Sequence, residues 1–434
     1  MKLHVSTLNL RMKSIFSKKK KTKKDSPLIA ACRKQPQSLE EIRALVAKSP
    51  ASIKSKTHEE EVPLAVACQR GASLEVIQFL VETWHGALKV RDDKGILPLH
   101  WACFHGASLA TVQYLTQQWP AALQVCSNWG CMPLHVAAAF NAAVVPCMIE
   151  DYREAVRDKN KSGFLALHLA LQNKSNLIPN VVKVLLEEYL EGAAIRDDTP
   201  NGLIPLHFAC RNGAPLELIE SLVQAYPQGI QTTCLKDGAL PLHMACTGSV
   251  PKQQQQPREG DKCEEAEDKG NSISLELIQY LVQQWPKSLQ MTTHPDGHLP
   301  LHLALQHNAP LAVIQYLVES YPSSLHTKTA SSGALPLHIA VSQKHASLQV
   351  VQYLAKAGGD VTLHAQTEFG QTPLDMASRT RNANVQAWLE KVAPGPALAD
   401  ETEACSDVPV FPGKPVDAKK GRTISDATTT ASHT

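Results

Sequence analysis

The chain has 434 residues, of which 43% are hydrophobic and 19% charged, a length typical of two to three ordinary domains or of one long array. It has no run of about 18 apolar residues that could span a membrane and no N-terminal apolar segment with a cleavage site, so we expect neither an integral membrane protein nor a secreted one. The net charge of +2 combines a basic N-terminus with a mildly acidic remainder, which is a poor surface for nucleic-acid phosphates. The eleven cysteines indicate buried thiols in a reducing compartment.

The first 24 residues hold nine basic residues and no acidic one, and we expect a basic disordered tail over 1–24. Its Lys-rich run is similar to a nuclear-localisation signal and consists of Lys18, Lys19, Lys20, Lys21, Lys23 and Lys24. Three alternatives stay open. The run is a plain solvated tail, or it makes weak contact with anionic membrane lipid, or residues 3–16, which are apolar and lack acids, form an organellar presequence or an amphipathic anchor.

One short sequence pattern recurs along the chain. Copies with Leu-His at the third and fourth positions start at Leu97, Met132, Leu165, Ile204, Leu240, Leu299 and Leu335, and weaker copies start at Ser26, Val62 and Thr372. In nine of the ten copies the second residue is Pro, and the copies follow one another at a nearly constant spacing with a single longer step. Such periodicity predicts a tandem array with one insertion.

Each copy predicts a turn, a helix, a loop and a second helix. A Gly ahead of the Pro supplies the turn dihedrals, and the Pro fits the first turn of a helix, where its missing N–H costs nothing. An apolar run with three- and four-residue spacing follows, as in residues 216–223, and predicts an amphipathic helix. An aromatic-Pro pair such as Tyr226-Pro227 then ends that helix, because the residue before Pro avoids the α region.

The repeated string resembles the ankyrin repeat signature T-P-L-H-x-A, in a variant that usually opens on Leu, Ile or Met; only Thr372 restores the family residue. Other helical-hairpin repeats of similar length do not open on P-L-H-x-A. The resemblance covers residues 25–393 and implies an all-α ankyrin-repeat solenoid of about ten helix-loop-helix units. We place the unit starts near residues 25, 61, 95, 130, 163, 202, 238, 297, 333 and 370.

Two further segments are poor in large apolar residues. Residues 249–271 interrupt the seventh unit between its two helices and carry four consecutive Gln, and we expect a disordered insertion there. Residues 394–434 predict a disordered C-terminal tail. Within that tail, Arg422 stands three residues before Ser425, similar to a basophilic kinase site, so Ser425 is a candidate phosphorylation site.

Catalysis has no candidate constellation. Equivalent His residues of neighbouring units would lie about 8–10 Å apart, too far to share a zinc ion, and the resemblance implies that each bonds backbone across neighbouring units. The cysteines of the repeated string predict a small buried slot, and Cys126 and Cys131 are close enough in sequence for a disulfide, which a reducing cell disfavours. We therefore expect no enzyme, no metal and no cofactor.

The array is instead suited to binding. In the family that the chain resembles, turn tips and first helices form the concave binding face. The candidate contacts on the tips are Asp93, Lys94, Asn128, Trp129, Lys236 and Asp237, with Asn201, Asp296 and Ser332 as further tip positions. Those on the first helices are Phe104, His105, Ala139, Phe140, Arg211, Asn212, Gln306 and His307. We expect Trp129, Phe104 and Phe140 to lie together as an aromatic patch, since aromatic residues dominate interface hot spots.

These residues predict a non-catalytic scaffold or adaptor in the cytoplasm that binds a protein partner on its concave face. The alternative is a nuclear regulatory protein that uses the Lys-rich run for import and the repeats to hold a transcription or chromatin partner.

Overall fold

The computed structural model describes residues 25–35, 37–172, 179–248, 273–344, 346–380 and 382–393. They form ten successive helix pairs, which we call units 1 to 10, with no strand among the described residues. The first helices are Pro27–Arg33, Pro63–Gln69, Pro98–Phe104, Pro133–Phe140, Ala166–Gln172, Pro205–Asn212, Pro241–Thr247, Pro300–Gln306, Pro336–Ser342 and Pro373–Thr380. The second helices are Leu39–Lys48, Leu74–Thr83, Leu109–Gln118, Val145–Asp151, Pro179–Glu188, Leu216–Ala225, Leu275–Gln284, Leu311–Ser320, Leu348–Gly358 and Ala383–Val392. The all-α repeat fold is thus confirmed.

A short helical turn follows the second helix in nine of the units, and the sequence pattern did not predict it. It is a 3-10 helix in units 1 to 8, at Pro50–Lys54, His85–Lys89, Pro120–Gln124, Arg153–Val156, Leu190–Ala194, Pro227–Gln231, Pro286–Gln290 and Pro322–His326. In unit 9 it is the α-helical turn Asp360–Leu363, and unit 4 has an extra 3-10 turn, Ala142–Val144, between its helices.

In units 2 to 8 an aromatic residue follows the second helix and leaves the helical conformation whether or not Pro comes next. Trp119, before a Pro, has φ −152° and ψ 84°, and Tyr189, before Leu190, has φ −150° and ψ 81°. The N–H of Gly192 donates to the Tyr189 carbonyl over 3.1 Å. A Cβ built at Gly192 would lie 3.0 Å from the Tyr189 ring, so the ring covers the short turn closely. The helix therefore ends with the same dihedrals and the same hydrogen bond where Pro is absent.

The core is a continuous apolar layer between the helices. In the second helix of unit 6, Leu218, Ile219, Leu222 and Val223 are buried, at the three- and four-residue spacing of one helix face. Each first helix also contacts the first helices of its neighbours, and this packing continues through unit 7 on both sides of residues 249–272. The repeated cysteines fill the predicted buried slot, at Cys32, Cys68, Cys103, Cys210 and Cys246.

Cys126 and Cys131 are free thiols, and partial or full burial raises the pKa of both. No described helix is long and apolar enough to cross a bilayer. The predictions for residues 1–24, 249–271 and 394–434, including the Lys-rich run and Ser425, lie outside the described residues.

Candidate functional site

The turns that precede the first helices are joined to one another by backbone hydrogen bonds. One N–H in each turn donates to a carbonyl in the turn before it, at 2.7–3.0 Å. The donor and acceptor pairs are Asp93 to Glu59, Asn128 to Lys94, Lys161 to Trp129, Asp198 to Ser162, Leu235 to Asn201, His294 to Asp237, Ala330 to Asp296, and Glu368 to Ser332. We call this series the turn ladder. It fixes the side chains of successive turn tips at the spacing of the units.

A buried polar side chain closes most of these turns from inside. Asp92 Oδ1 accepts from the N–H of Ile96 at 2.8 Å, and Asn160 Oδ1 accepts from the N–H of Phe164 at 3.1 Å. A hydroxyl does the same elsewhere, as when Thr329 Oγ1 accepts from the N–H of Ala334 at 3.1 Å. Such side-chain acceptors are the reason Asp, Asn, Ser and Thr favour turns.

In units 3 to 9 the repeated His residue ties the first helix to the segment that leads to the next unit. In unit 6, His207 Nδ1 accepts from the N–H of Ile204 at 3.3 Å, so the ring proton is assigned to Nε2, which donates to the Ala239 carbonyl at 3.2 Å. Equivalent pairs of bonds occur at His100, His135, His168, His243, His302 and His338. Burial lowers the pKa of His207 to about 4, so this ring is a neutral structural tie at neutral pH.

Four of the predicted tip residues lie on adjacent turns of the ladder. Asp93 and Asn128 are exposed, Lys94 is half-buried, and Trp129 has 36% of its surface exposed. Asn128 Nδ2 also donates to the Asp93 carbonyl at 3.1 Å, which holds the two turns together. The structure therefore brings these four residues side by side at the turns before units 3 and 4.

The turn before unit 7 differs from the prediction. Lys236 is exposed, but Asp237 is only 4% exposed and its Oδ1 accepts from the N–H of Ala239 at 3.2 Å. Cys234 occupies the position that holds the closing Asp or Asn in other turns, so Asp237 supplies the closing acceptor instead. Leu235, which sequence reasoning missed, is a second exposed tip residue here, with 68% exposure.

The first-helix candidates in units 3 and 4 form an aromatic group. The ring centroids of Phe104 and Phe140 are 4.6 Å apart, and His105 meets the Phe104 ring edge-on at 4.9 Å. Both Phe rings are half-buried and His105 is exposed. Ala139, by contrast, is buried in the core and cannot face a partner.

Trp129 is not part of this group, contrary to expectation. Phe140 is the last residue of the first helix Pro133–Phe140, whereas Trp129 stands four positions before that helix begins. The two residues thus lie at opposite ends of a helix about 10 Å long. We call Phe104, His105 and Phe140 the aromatic ends, and they are separate from the tips.

The remaining candidates, in units 6 and 8, are half-buried. Asn212 Nδ2 donates to the Leu171 carbonyl at 2.7 Å and so joins units 5 and 6. Burial lowers the pKa of Arg211. Burial also lowers the pKa of His307, which directly follows Gln306 at the end of the helix Pro300–Gln306. Among the described residues no group of His, Cys, Asp and Glu is placed to hold a metal ion.

The comparisons with known proteins agree with this architecture. Curated proteins give no significant match to the chain. The family model of ankyrin repeats, in three copies, matches residues 28–121, 99–195 and 269–365, which together make up more than half of the chain. With its ten stacked helix pairs and its ladder of joined turns, the chain belongs to the ankyrin repeat family.

Proposed function

We propose that the protein is a non-catalytic scaffold or adaptor that binds a protein partner on the face formed by its turn tips and first helices. Ankyrin repeats generally mediate protein–protein interaction. The turn ladder is the observation that carries the proposal, because it holds tip side chains of successive units in fixed register. A preorganised surface binds with less loss of conformational entropy than a flexible one.

The tips before units 3 and 4 are the strongest part of this face. Trp129 is a large aromatic side chain with 36% of its surface exposed, although the chain has a continuous core in which it could have been buried. Arg91 and Lys161, on the turns to either side, are exposed and offer charged groups beside it. Aromatic side chains with polar neighbours are typical of interaction hot spots.

Affinity capture with the full chain tests the proposal. A Lys94→Glu, Trp129→Ala variant changes the tips, and a Glu276→Gln variant changes an exposed residue of a second helix as a matched control. We expect the tip variant to lose a reproducible set of partners and the control to keep them, with a loss of roughly 2 kcal/mol or more in affinity for a purified partner. Equal capture by all three proteins would contradict binding on this face.

Cytoplasmic residence is part of the proposal, and nuclear import is the alternative, supported by the Lys-rich run alone. Changing Lys18–Lys21, Lys23 and Lys24 to Gln should move a tagged protein from nucleus to cytoplasm if the run is an import signal. An unchanged cytoplasmic distribution would exclude that role, and release from a membrane fraction would favour contact with anionic lipid.

A further inference from the structure

A cleft of about 490 Å³ opens along units 1 to 3, where the first helix of each unit is joined to the second. Its lining includes the guanidinium of Arg70, the imidazole of His105, the amide side chains of Gln35 and Gln69, and the hydroxyls of Ser73 and Ser108. None of the described residues that line it is acidic. The cleft is therefore polar and biased towards positive charge.

Arg70 is the unusual residue in this cleft. Its Nε is buried without a hydrogen bond, and the side chain makes no ion pair with the described residues. Nearby basic residues of unit 1 do have carboxylate partners: Arg33 pairs with Asp25 at 3.2 Å, and Lys34 pairs with Glu41. A partly buried cation without an anionic partner is unfavourable, so Arg70 is suited to an anion from another molecule.

The two helix starts at the edge of the cleft also favour an anion. The second helices Leu74–Thr83 and Leu109–Gln118 begin at its edge, and the start of a helix carries partial positive charge. Partial burial and the Arg70 guanidinium lower the pKa of His105 to about 4, so its ring is neutral at neutral pH and Arg70 supplies the positive charge. Both side chains line the cleft, and none of its described lining residues is a carboxylate.

The aromatic ends continue directly from the cleft. His105 lines the cleft and contacts the ring of Phe104 at 4.9 Å, and Phe104 contacts the ring of Phe140 at 4.6 Å. A single surface thus passes from a cationic cleft to a pair of half-buried Phe rings, across units 2, 3 and 4. It combines a position for a negative charge with an apolar platform next to it.

We propose that this surface binds a peptide segment of the partner in which an acidic side chain neighbours a large apolar one. The carboxylate enters the cleft and pairs with Arg70 while His105 borders it, and the apolar side chain lies on Phe104 and Phe140. The inference rests on the proposed function and names the chemistry of the segment that the repeats recognise. Charge complementarity selects this segment, because the cation of the cleft has no partner of its own.

Selection of displayed random peptides on the full chain tests the proposal, with the display library itself as the probe. We expect enriched peptides to carry Asp or Glu beside an aromatic or large aliphatic residue. Arg70→Gln should weaken binding of a synthetic enriched peptide at least about 10-fold, the usual effect of losing a charge-assisted hydrogen bond. Arg70→Glu should shift enrichment towards basic peptides.

Arg43→Gln is the matched control, because the Arg43 guanidinium lies 5.5 Å from the ring of Phe79, outside the lining of the cleft. It should leave peptide affinity unchanged. Phe140→Ala should weaken the same peptide, and its thermal melt shows whether the array stays folded. Enriched peptides without acidic residues, or with affinity that Arg70→Glu does not change, would overturn the inference but leave the proposed function intact. The proposed function has its own test: it would be contradicted if the Lys94→Glu, Trp129→Ala variant captured the same partners as the unchanged protein.

Discussion

Glu60 adopts a backbone conformation that the equivalent turns give to glycine. Its φ is +64°, and Gly95, at the matching position of the next turn, has φ +73°. The left-handed region costs an ordinary residue about 1–2 kcal/mol. Glycine avoids this strain but loses more chain entropy on folding than other residues, which costs about 0.5–1 kcal/mol. We expect Glu60→Gly to stabilise unit 2 by about 0.5–1 kcal/mol, measured by hydrogen exchange of its first-helix amides.

Asn308→Gly is the control for this change. Asn308 also has a positive φ, +53°, but Asn tolerates the left-handed region because its side chain can bond locally. We expect a change of at most a few tenths of a kcal/mol. Glu60→Gly also removes the exposed ion pair between Lys56 and Glu60, which are 2.7 Å apart. This loss reduces the expected gain in stability only slightly, since exposed pairs contribute about 0–1 kcal/mol. Destabilisation by Glu60→Gly would show that the turn is not strained.

Trp129 and Phe140 make different predictions once their places in the fold are known. Trp129 is at a tip with 36% exposure, so Trp129→Ala should change stability by no more than about 0.5 kcal/mol. Phe140 is half-buried against Phe104, so Phe140→Ala should cost roughly 2 kcal/mol, less than a fully buried Phe. Urea unfolding of the two single variants measures the contrast, and a larger loss for Trp129→Ala would place its ring in the core.

Glycines with a positive φ differ in how closely other backbone approaches them: Gly163 lies in a turn of the ladder, whereas Gly213 ends the first helix of unit 6. Gly163 has φ +76°, and a Cβ there would lie 2.3 Å from the backbone N of Asp198, the atom that donates to Ser162 in the turn ladder. Gly213 has φ +64° with nothing within 4 Å of an added Cβ. Gly163→Ala should therefore cost roughly 2–4 kcal/mol, from strain and displacement of the next turn.

Gly213→Ala should cost only about 1 kcal/mol, because the dihedral strain is its single penalty. Urea unfolding of both variants checks the difference, and hydrogen exchange at the Asp198 amide shows whether the ladder bond is broken. Similar losses for the two variants would mean that close approach of the turns contributes nothing to stability.

Sequence periodicity predicted the elements well because each unit carries several consistent signals. The Pro at the start, the apolar spacing and the aromatic end all place the same two helices, and the structure has them there. Phe104, His105 and Phe140 were predicted as contacts, whereas Arg70 was missed, because its lack of a partner depends on side chains of three units that meet only in the fold. Burial of Asp237 could not be predicted from the unit pattern, since it depends on Cys234 having no strong acceptor for the Ala239 N–H.

At the scale of the whole array, buried titratable groups divide units 1 to 9 into two classes. Units 3 to 9 carry the repeated His, and burial lowers the pKa of six of these residues to about 4. Units 1 and 2 have Ile29 and Ala65 in that position. At the end of the turn before unit 2 lies Glu61, whose pKa is raised to about 7 by burial, with Glu59 and Asp92 adding to the rise and Arg33 opposing it. Burial likewise raises the pKa of Asp92 to about 6.

Acidification from pH 7 to pH 5 should therefore act in opposite directions on the two classes. A His in the unfolded chain has a pKa near 6.5 and is protonated as the pH falls to 5, whereas the buried His of the folded unit stays neutral. Each buried His therefore lowers the free energy of unfolding by up to roughly 2 kcal/mol at pH 5. An unfolded Glu has a pKa near 4.3, so folded Glu61 takes up its proton first and stability is gained as the pH falls.

Hydrogen exchange, corrected for intrinsic rates, should show falling protection in the first helices of units 3 to 9 and steady or rising protection in units 1 and 2. Glu61→Gln should abolish the rise and leave units 3 to 9 unaffected. Uniform loss along the array, or the greatest loss in units 1 and 2, would contradict this division.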